Sequence, residues 1–283
     1  MKGFLVVSAY QDDQKFQTIY KTLLDAFIKE GLSLEIKKAP DLGLEINDKS
    51  FDVDFILFWD KDIYLSKKLE NLGMRLFNCS RAIELCDNKI LTALELIKNK
   101  IPTPKTFIPP KTFVGVDYPN YDFLDKIDLS YPYVIKEAYG SYGKQVYLIN
   151  NKEEAIKLIK SFGYKDFLIQ EYIKEAKGRD IRLNVVGNKV INAIERYNDS
   201  DFRSNLSNGG KGRPYNPSKD ICDLALKACK AFNLDFAGVD VILSKDGPLI
   251  CEINSNPHFL STLEITGHNL AIDIARYIKD TLC

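Results

Sequence analysis

The first hundred residues alternate short apolar runs with segments of helical periodicity. Residues 4–9 form a run typical of a strand, and apolar residues then recur at helical spacing over 16–28, up to Gly31. Further strands are predicted at 32–36, 54–59 and 75–78, with a helix at 63–72. Strands that alternate with helices predict a parallel, doubly wound α/β sheet.

The turn after the first strand argues against dinucleotide binding, which is a common function of such a sheet. A dinucleotide site requires a glycine-rich turn at this point, whereas the chain reads Ser8-Ala9-Tyr10-Gln11. The segment therefore predicts no dinucleotide binding.

After residue 100 the pattern changes. Pro102 and Pro104 enforce an extended chain and mark a boundary behind a helix predicted at 88–99. Gly187-Asn188 suits the two-residue turn of a hairpin. Strands are predicted at 133–136, 146–149, 167–172, 181–186, 190–196, 238–243 and 249–254, and helices at 153–162, 219–232 and 269–278. This part of the chain is predicted to be α+β.

Composition and charge argue against several classes of function. Lys and Arg total 39, as do Asp and Glu, so the formal net charge is zero and a nucleic-acid function has little support. The longest apolar runs, such as 55–59, are far shorter than the roughly 20 residues of a membrane span. Six cysteines without a CxxC pair and only two histidines argue against a zinc site. We expect a reduced, soluble, cytoplasmic protein that binds neither nucleic acid nor membrane.

Two acidic residues and an amide near the C-terminus form the most informative polar group. Glu252 and Asn254 face the same side of a strand, and Asp240 would meet them across a hairpin. Two carboxylates and one amide oxygen suit Mg²⁺ or Mn²⁺ that shares its ligand shell with phosphates. The same residues are also typical of a solvated sheet face.

A strand ending in Lys136 leads into a turn that contains Gly140, Ser141 and Gly143. Glycines let backbone N–H groups approach phosphate oxygens closely, and the lysine adds positive charge. The GxxxxGK[ST] spacing of P-loop NTPases is absent. On its own, the segment is more typical of an ordinary hairpin turn.

Arg203 and Asn205 follow the predicted hairpin, which itself carries Arg182 and Arg196. Arginine forks bind phosphoryl and carboxylate groups bidentately. Without further context, these residues are equally typical of a solvated loop.

The strand that ends at Glu171-Tyr172-Ile173 offers a backbone edge to which a purine could hydrogen-bond. Asp180, in the charged segment that follows, could accept from ribose hydroxyls. Alone, this is a strand that runs into a charged loop.

Taken together, these features resemble the nucleotide-binding half of the ATP-grasp superfamily. Their order along the chain is the lysine, the glycine turn, the QEYI strand, Asp180, the arginines, AGVD and ExN. The chain is most similar to RimK-type α-L-glutamate ligases, above all in residues 180–210. The resemblance implies an ATP-grasp fold with an N-terminal Rossmann-like parallel-sheet domain at 1–88. A central subdomain with the phosphate loop would span 89–168, and a C-terminal subdomain with the metal and substrate site would span 169–283.

The resemblance also implies roles for individual residues. ATP would be bound by Lys89, Lys136, Gly140, Ser141, Gly143, Glu171, Tyr172, Ile173 and Asp180. Mg²⁺ or Mn²⁺ would be bound by Asp240, Glu252 and Asn254. The transferring phosphoryl group would face Arg203 and Asn205, together with Arg182 and Arg196.

The implied activity is that of an ATP-dependent carboxylate–amine ligase that works through an acyl phosphate. It would add an amino acid such as glutamate to a small molecule, peptide or protein tail. A peptide-crosslinking or dipeptide-forming ligase and a non-catalytic nucleotide-binding module stay open as alternatives, as does homo-oligomer formation.

Two departures from the family pattern concern the site. Gln145 stands where relatives often carry a third glycine, which stiffens or reshapes the phosphate loop. Pro257-His258-Phe259 is bulkier than the small residue, proline and glycine that relatives tend to carry. We therefore expect a different wall in the substrate pocket.

Overall fold

The structure, a computed structural model, describes residues 1–11, 13–47 and 49–283. Its strands are β1 (Lys2–Val7), β2 (Ser33–Lys38), β3 (Phe55–Trp59), β4 (Leu76–Phe77), β5 (Thr106–Phe107), β6 (Tyr133–Glu137), β7 (Val146–Ile149), β8 (Phe167–Glu171), β9 (Arg179–Val186), β10 (Lys189–Tyr197), β11 (Lys211–Pro214), β12 (Phe236–Ser244) and β13 (Gly247–Asn254). Its α-helices are α1 (Gln14–Lys29), α2 (Ile63–Asn71), α3 (Ser80–Asp87), α4 (Lys89–Lys98), α5 (Lys152–Phe162), α6 (Lys219–Phe232), α7 (Leu260–Thr266) and α8 (Leu270–Leu282).

The N-terminal unit is a parallel sheet of order β2-β1-β3-β4, which confirms the predicted architecture. Both faces of β1 are buried: Leu5 and Val7 pack in the cluster with α1, whereas Phe4 and Val6 pack in the cluster with α2. Burial on both faces explains why the strands are continuously apolar.

The central unit is an antiparallel sheet of order β5-β8-β6-β7. Apolar residues of this sheet, such as Ile135 and Ile169, pack with Ala155 and Ile159 of α5. The glycine-bearing turn joins β6 to β7 and therefore leaves the sheet at one end.

The C-terminal unit is an antiparallel sheet of order β11-β10-β9-β12-β13. Alternate residues of β9, Ile181, Leu183 and Val185, pack in the cluster with α6. The predicted hairpin of β9 and β10 turns at Gly187-Asn188 as expected. One face of this sheet is thus apolar, and its other face is available for polar chemistry.

Two features join the C-terminal unit to the N-terminal one. Helix α8 packs beside α1 in one apolar cluster. The buried Asn78 amide donates to the carbonyls of Phe236 (2.9 Å) and Ser255 (2.8 Å) and accepts from the N–H of Asp235 (2.6 Å). Asn78 thereby fixes the end of the parallel sheet against β12.

Several elements differ from the sequence pattern. Helices α3 and α7 and the strands β5 and β11 are not predicted, because these elements, of 8, 7, 2 and 4 residues, are too short to show a clear periodicity. The predicted limit at residue 168 falls inside β8, which pairs with β6 as far as Glu171. The central sheet therefore extends three residues further. Among the helices of the described ranges, none is both long and apolar enough to span a bilayer.

Candidate active site

The polar face of the C-terminal sheet brings distant acidic and basic residues into register. Asp240 on β12 lies directly opposite Arg182 on β9 and Glu252 on β13. Arg196 on β10 lies opposite Asp180 on β9. Because side chains alternate between faces along a strand, these five residues share the face opposite α6.

Four of these charges form a buried cluster. Asp240 accepts from Nε and Nη2 of Arg182, with 2.8 Å between Nη2 and Oδ2, and its Oδ2 also lies 3.0 Å from Nη2 of Arg196. Arg196 binds Asp180 through a second fork, with 2.7 Å between Nε and Oδ1. Asp240 is 3% exposed and Arg196 is 7% exposed. Two positive and two negative groups compensate one another, and without that compensation burial would be prohibitive.

The pKa values of this cluster reflect two opposing effects. Burial acts to raise the pKa of Asp240, but Arg182 and Arg196 outweigh it and hold that pKa below its usual value. Burial acts to lower the pKa of Arg196, and Asp180 and Asp240 reverse it. Asp240 and Arg196 are therefore charged at neutral pH.

The three predicted metal ligands lie next to each other on β12 and β13. A carboxylate offers about four acceptor positions, of which Asp240 uses three for arginine, so that one stays available on Oδ1. Glu252 is partly exposed, and its Oε1 lies 3.6 Å from Lys89 Nζ. Asn254 offers its amide Oδ1 to a cation, whereas its buried Nδ2, which has no hydrogen-bond partner among the described residues, can only donate. These donors fit a hard divalent cation that completes its shell with phosphate or water.

A purely protein-built metal centre is not found in the described part of the chain, where no group of three His, Cys, Asp or Glu side chains could hold an ion. The candidate cation site therefore needs oxygen ligands from a bound molecule.

The glycine turn folds over this polar face. Lys89 Nζ donates to the carbonyl of Gly140 (3.0 Å). Gly143 has φ +70°, and a Cβ there would lie 2.6 Å from Oδ1 of Asn205, so glycine is required by both the backbone and the close approach. The side chain of Gln145 accepts from the N–H of Ser141 (3.2 Å) and so braces the turn from within.

The loop after β10 holds the turn from the other side. Arg203 forms an ion pair with Asp201 (2.7 Å) and donates through Nη1 to the carbonyl of Gly143 (2.7 Å). Asn208 Nδ2 donates to the carbonyl of Tyr142 (3.1 Å). Arg203 and Asn205 thus border the turn, where the sequence expects the phosphoryl group.

A cavity of about 120 Å³ lies beneath the turn. Apolar residues form part of its wall: Val134, Val146, Ile173 and Ile242. The predicted nucleotide residues that line it are Lys89, Lys136, Gly143, Glu171, Tyr172, Ile173 and Asp180. Lys136 is buried with its Nζ 3.8 Å from Sγ of Cys251. A slot with apolar walls and two lysines in its lining suits a flat heterocycle that carries anionic groups.

A second cavity, of about 240 Å³, adjoins the first and shares Arg196, Asn205 and Glu252 with it. Its far wall comes from the N-terminal unit: Ser8, Gln11, Lys15, Phe16, Trp59, Asp60 and Lys61. The sequence motifs do not predict these residues as part of the site. A usable signal exists, since Ser8 and Asp60 follow the carboxyl ends of parallel strands, where ligands bind in open α/β sheets.

His258 closes the second cavity near the turn. Its Nε2 lies 3.0 Å from the hydroxyl of Tyr142, and its ring packs edge-on against Phe16. Burial, together with Lys15, Arg182 and Lys61, lowers the pKa of His258 to about 4. A neutral, packed ring in the segment that departs from the family pattern is consistent with a reshaped pocket wall.

Comparison with known proteins gives consistent results. The family described as RimK-like ATP-grasp domain matches residues 86–278. An uncharacterized protein of Mycoplasma pneumoniae is 34% identical over 79% of this chain and 80% of its own. A probable alpha-L-glutamate ligase of Legionella pneumophila is 35% identical over 75% of this chain and 70% of its own. The structure of D-alanine–D-alanine ligase from Bacillus anthracis in complex with ATP superposes with a TM-score of 0.75 at 19% identity, over 100% of this chain and 97% of that one, and shows the shared fold.

The buried charge cluster generates a stability prediction. Replacing Asp240 by Asn leaves Arg182 without its charged partner, so we expect the free energy of unfolding to fall by about 3–5 kcal/mol at pH 7. Because the folded-state pKa of Asp240 is lowered, its contribution is present above the unfolded value of about 3.9 and is lost as the pH falls through the folded pKa. The difference between the two proteins should therefore shrink in acid.

Urea titrations at several pH values measure this difference. Asp223→Asn is the matched control, because Asp223 pairs with Lys219 on an exposed helix face and should contribute little. Equal effects of the two substitutions would contradict the structural role of the cluster.

Proposed function

Because the chain belongs to the RimK-like ATP-grasp family and is an ATP-dependent ligase, we propose that it joins the amino group of an amino acid to the carboxyl group of a second substrate. Glutamate is the first candidate for the amino acid, since a relative 35% identical is named as a probable alpha-L-glutamate ligase. The acceptor carboxylate is a small molecule, a peptide or a protein tail.

One observation supports this proposal above others. The slot under the glycine turn and the polar cavity beside it meet at Arg196, Asn205 and Glu252. A nucleotide in the slot would therefore present its terminal phosphate to a carboxylate in the cavity. Ligation through an acyl phosphate requires this juxtaposition, because the carboxylate must reach the γ-phosphorus directly.

The proposed nucleotide contacts follow from the lining of the slot. Lys89 and Lys136 would neutralise phosphate oxygens, and the Glu171–Ile173 segment would border the adenine. Asp180 would face the ribose, although Arg196 already occupies part of its carboxylate. The turn at Gly140, Ser141 and Gly143 would cover the phosphates.

Members of this family use ATP with a divalent metal. We propose Mg²⁺, with Mn²⁺ as the alternative, held by Asp240 Oδ1, Glu252 and the Asn254 amide. When bound, the ion would supply charge neutralisation at the phosphates. Asp240 is suited to this role because Arg182 and Arg196 keep it ionised and fix its orientation.

The proposed reaction has two steps. A carboxylate oxygen attacks the γ-phosphorus, the bond to the β-phosphate oxygen breaks, and ADP leaves. The amine nitrogen then attacks the acyl carbon, the carbon–oxygen bond to phosphate breaks, and inorganic phosphate leaves with the electron pair. Arg203, Asn205 and Arg182 would position and stabilise the transferring group, and the closed turn would exclude water.

The reaction is expected in a reducing, cytoplasmic compartment. The six cysteines are free thiols, and the most buried ones, Cys86 and Cys229, lie within the apolar cluster around α6. Reduced thiols are typical of cytosolic proteins.

A phosphate-release screen tests the proposal. Purified protein is incubated with Mg²⁺-ATP, each of the common amino acids and carboxylates that include N-acetyl-L-glutamate, succinate and a glutamate-terminated peptide. We expect phosphate release that depends on both substrates, and an amide product identified by mass spectrometry. Phosphate release without any new amide, across the whole panel, would contradict the proposed ligation.

Arg203→Ala tests phosphoryl-group stabilisation. Removal of one preorganised charge typically lowers the rate about 10²–10³-fold, and we expect a fall of kcat in this range. The matched control is Arg213→Ala, because Arg213 lies on β11 and contacts Glu195 at the exposed edge of the same sheet. Initial rates with saturating ATP measure both; a variant of Arg203 with unchanged kcat would refute the role.

Glu252→Gln tests the metal assignment. The amide keeps the shape of the side chain but loses the charge that a divalent cation requires, so we expect weaker Mg²⁺-dependent nucleotide binding with the fold retained. Calorimetric titration of Mg²⁺ in the presence of a non-hydrolysable ATP analogue measures this binding. Glu264→Gln on the exposed face of α7 is the control, and identical titrations for both variants would count against the assignment.

A further inference from the structure

Asp60 is the acidic group that the N-terminal unit contributes to the second cavity. It follows β3 directly, at the carboxyl end of the parallel sheet, and lines the cavity opposite the charged sheet face. Neither the sequence motifs nor the proposed metal and nucleotide contacts use it. Its place in the lining of this cavity raises the question of what it binds.

The orientation of Asp60 is fixed from two sides. Its Oδ1 accepts from the N–H of Lys61 (2.7 Å), and its backbone carbonyl accepts from Nδ2 of Asn256 (2.8 Å), which follows β13. Asn256 also lines the cavity. The carboxylate is thus held by the N–H of its neighbour Lys61, and the backbone of Asp60 is held by the C-terminal unit.

Asp60 forms no direct ion pair with a cationic side chain among the described residues. The adjacent Lys61 pairs with Asp87 instead (2.6 Å), and the carboxylates of Asp62 and Asp87 add negative charge nearby. Burial, with these carboxylates, raises the pKa of Asp60 above its usual value, against the opposing effects of the N–H and the ammonium group of Lys61. A partly buried carboxylate that forms no ion pair, beside a lysine that is paired with another acid, favours a cationic ligand.

The cavity already contains cations for the other substrate groups. Arg182 and Arg196 border it on the sheet side, and Lys15 approaches it from α1, with its ammonium over the ring of Tyr142 at 5.0 Å. Carboxylate and phosphoryl groups therefore have basic partners. For an ammonium group, Asp60 is the available acidic partner on the N-terminal side of the cavity.

We propose that Asp60 is the catalytic residue that binds the ammonium group of the amino-acid substrate and accepts the proton that must leave before the nitrogen can attack. This inference rests on the proposed ligase function and adds the group that the nucleotide and metal contacts do not supply. The ammonium transfers one proton to the Asp60 carboxylate, and the freed nitrogen lone pair forms the bond to the acyl carbon. The carbon–oxygen bond to phosphate then breaks, phosphate leaves with the electron pair, and a second proton passes from nitrogen to a phosphate oxygen.

The test compares two amines in wild type and Asp60→Asn. Hydroxylamine is largely neutral at pH 7 and traps an acyl phosphate as a hydroxamate, so its reaction needs neither an ammonium site nor a protein base. With N-acetyl-L-glutamate or succinate as the carboxylate, we expect Asp60→Asn to form hydroxamate at about the wild-type rate. Amide formation with L-glutamate should fall about 10²–10⁴-fold, the usual contribution of a general base.

The matched control is Asp62→Asn, two residues away. Asp62 caps α2 by accepting from the N–H of Leu65, and asparagine caps a helix equally well, so this variant should keep both activities. Asp60→Asn should also keep its thermal stability, because no ion pair among the described residues is lost.

The outcomes separate the inference from the function on which it rests. A selective loss of amide formation in Asp60→Asn supports the inference. Equal losses of hydroxamate and amide, or amide formation at the wild-type rate, would overturn it. A second measurement does not depend on turnover: calorimetry with L-glutamate and with glutarate, which lacks the amino group, in the presence of Mg²⁺ and a non-hydrolysable ATP analogue. Wild type should bind glutamate at least about 10-fold more tightly than glutarate, and Asp60→Asn should not. Equal preference for glutamate in both proteins would overturn the inference. A wild type that forms hydroxamate but no amide with any amino acid would overturn both proposals.

Discussion

The ion cluster of Asp240, Arg182, Arg196 and Asp180 is the constraint on which the site depends. Charges withdrawn from water are tolerated only when opposite charges with good geometry compensate them. Here the compensation is built into strand register, because Asp240 lies opposite Arg182 and Asp180 lies opposite Arg196. The sheet cannot shift by one residue without placing these charges against α6 and the apolar side chains in the cleft. The register of the sheet and the chemistry of the cleft are therefore set by the same residues.

The closed glycine turn depends on contacts from every side of the cleft. Lys89 at the start of α4 and Gln145 within the turn hold it on one side, and Arg203 and Asn208 from the loop after β10 hold it on the other. Tyr142 extends the turn to His258 beside α1. The turn thus covers both the cavity beneath it, which is the proposed nucleotide site, and the second cavity. A reaction with a hydrolysable acyl phosphate benefits from such a cover, since water competes with the amine.

The N-terminal unit contributes chemistry as well as support. Its parallel sheet ends at the second cavity, and Asn78 fixes that end to β12 through buried hydrogen bonds. Asp60 and Lys61 leave β3 at this point and border the cavity. The same packing that buries the apolar clusters around α1 and α8 therefore determines which side chains face the substrate.

The sequence by itself determined the local structure and the residue types of the nucleotide side. Strand alternation in β9, β10, β12 and β13 and the helical period of α6 are strong local signals, and the ordered motifs identified the family. Helices α3 and α7 were not predicted because they span only 8 and 7 residues, which is about two turns each.

Only the tertiary structure decided which distant residues meet. Asp60 and Glu252 are far apart in the chain, yet they line one cavity, and the pairing of Asp240 with Arg182 depends on strand order that local periodicity does not encode. The physical reason is that periodicity specifies the face on which a side chain lies. The position of that face against another unit follows from the packing of the whole chain.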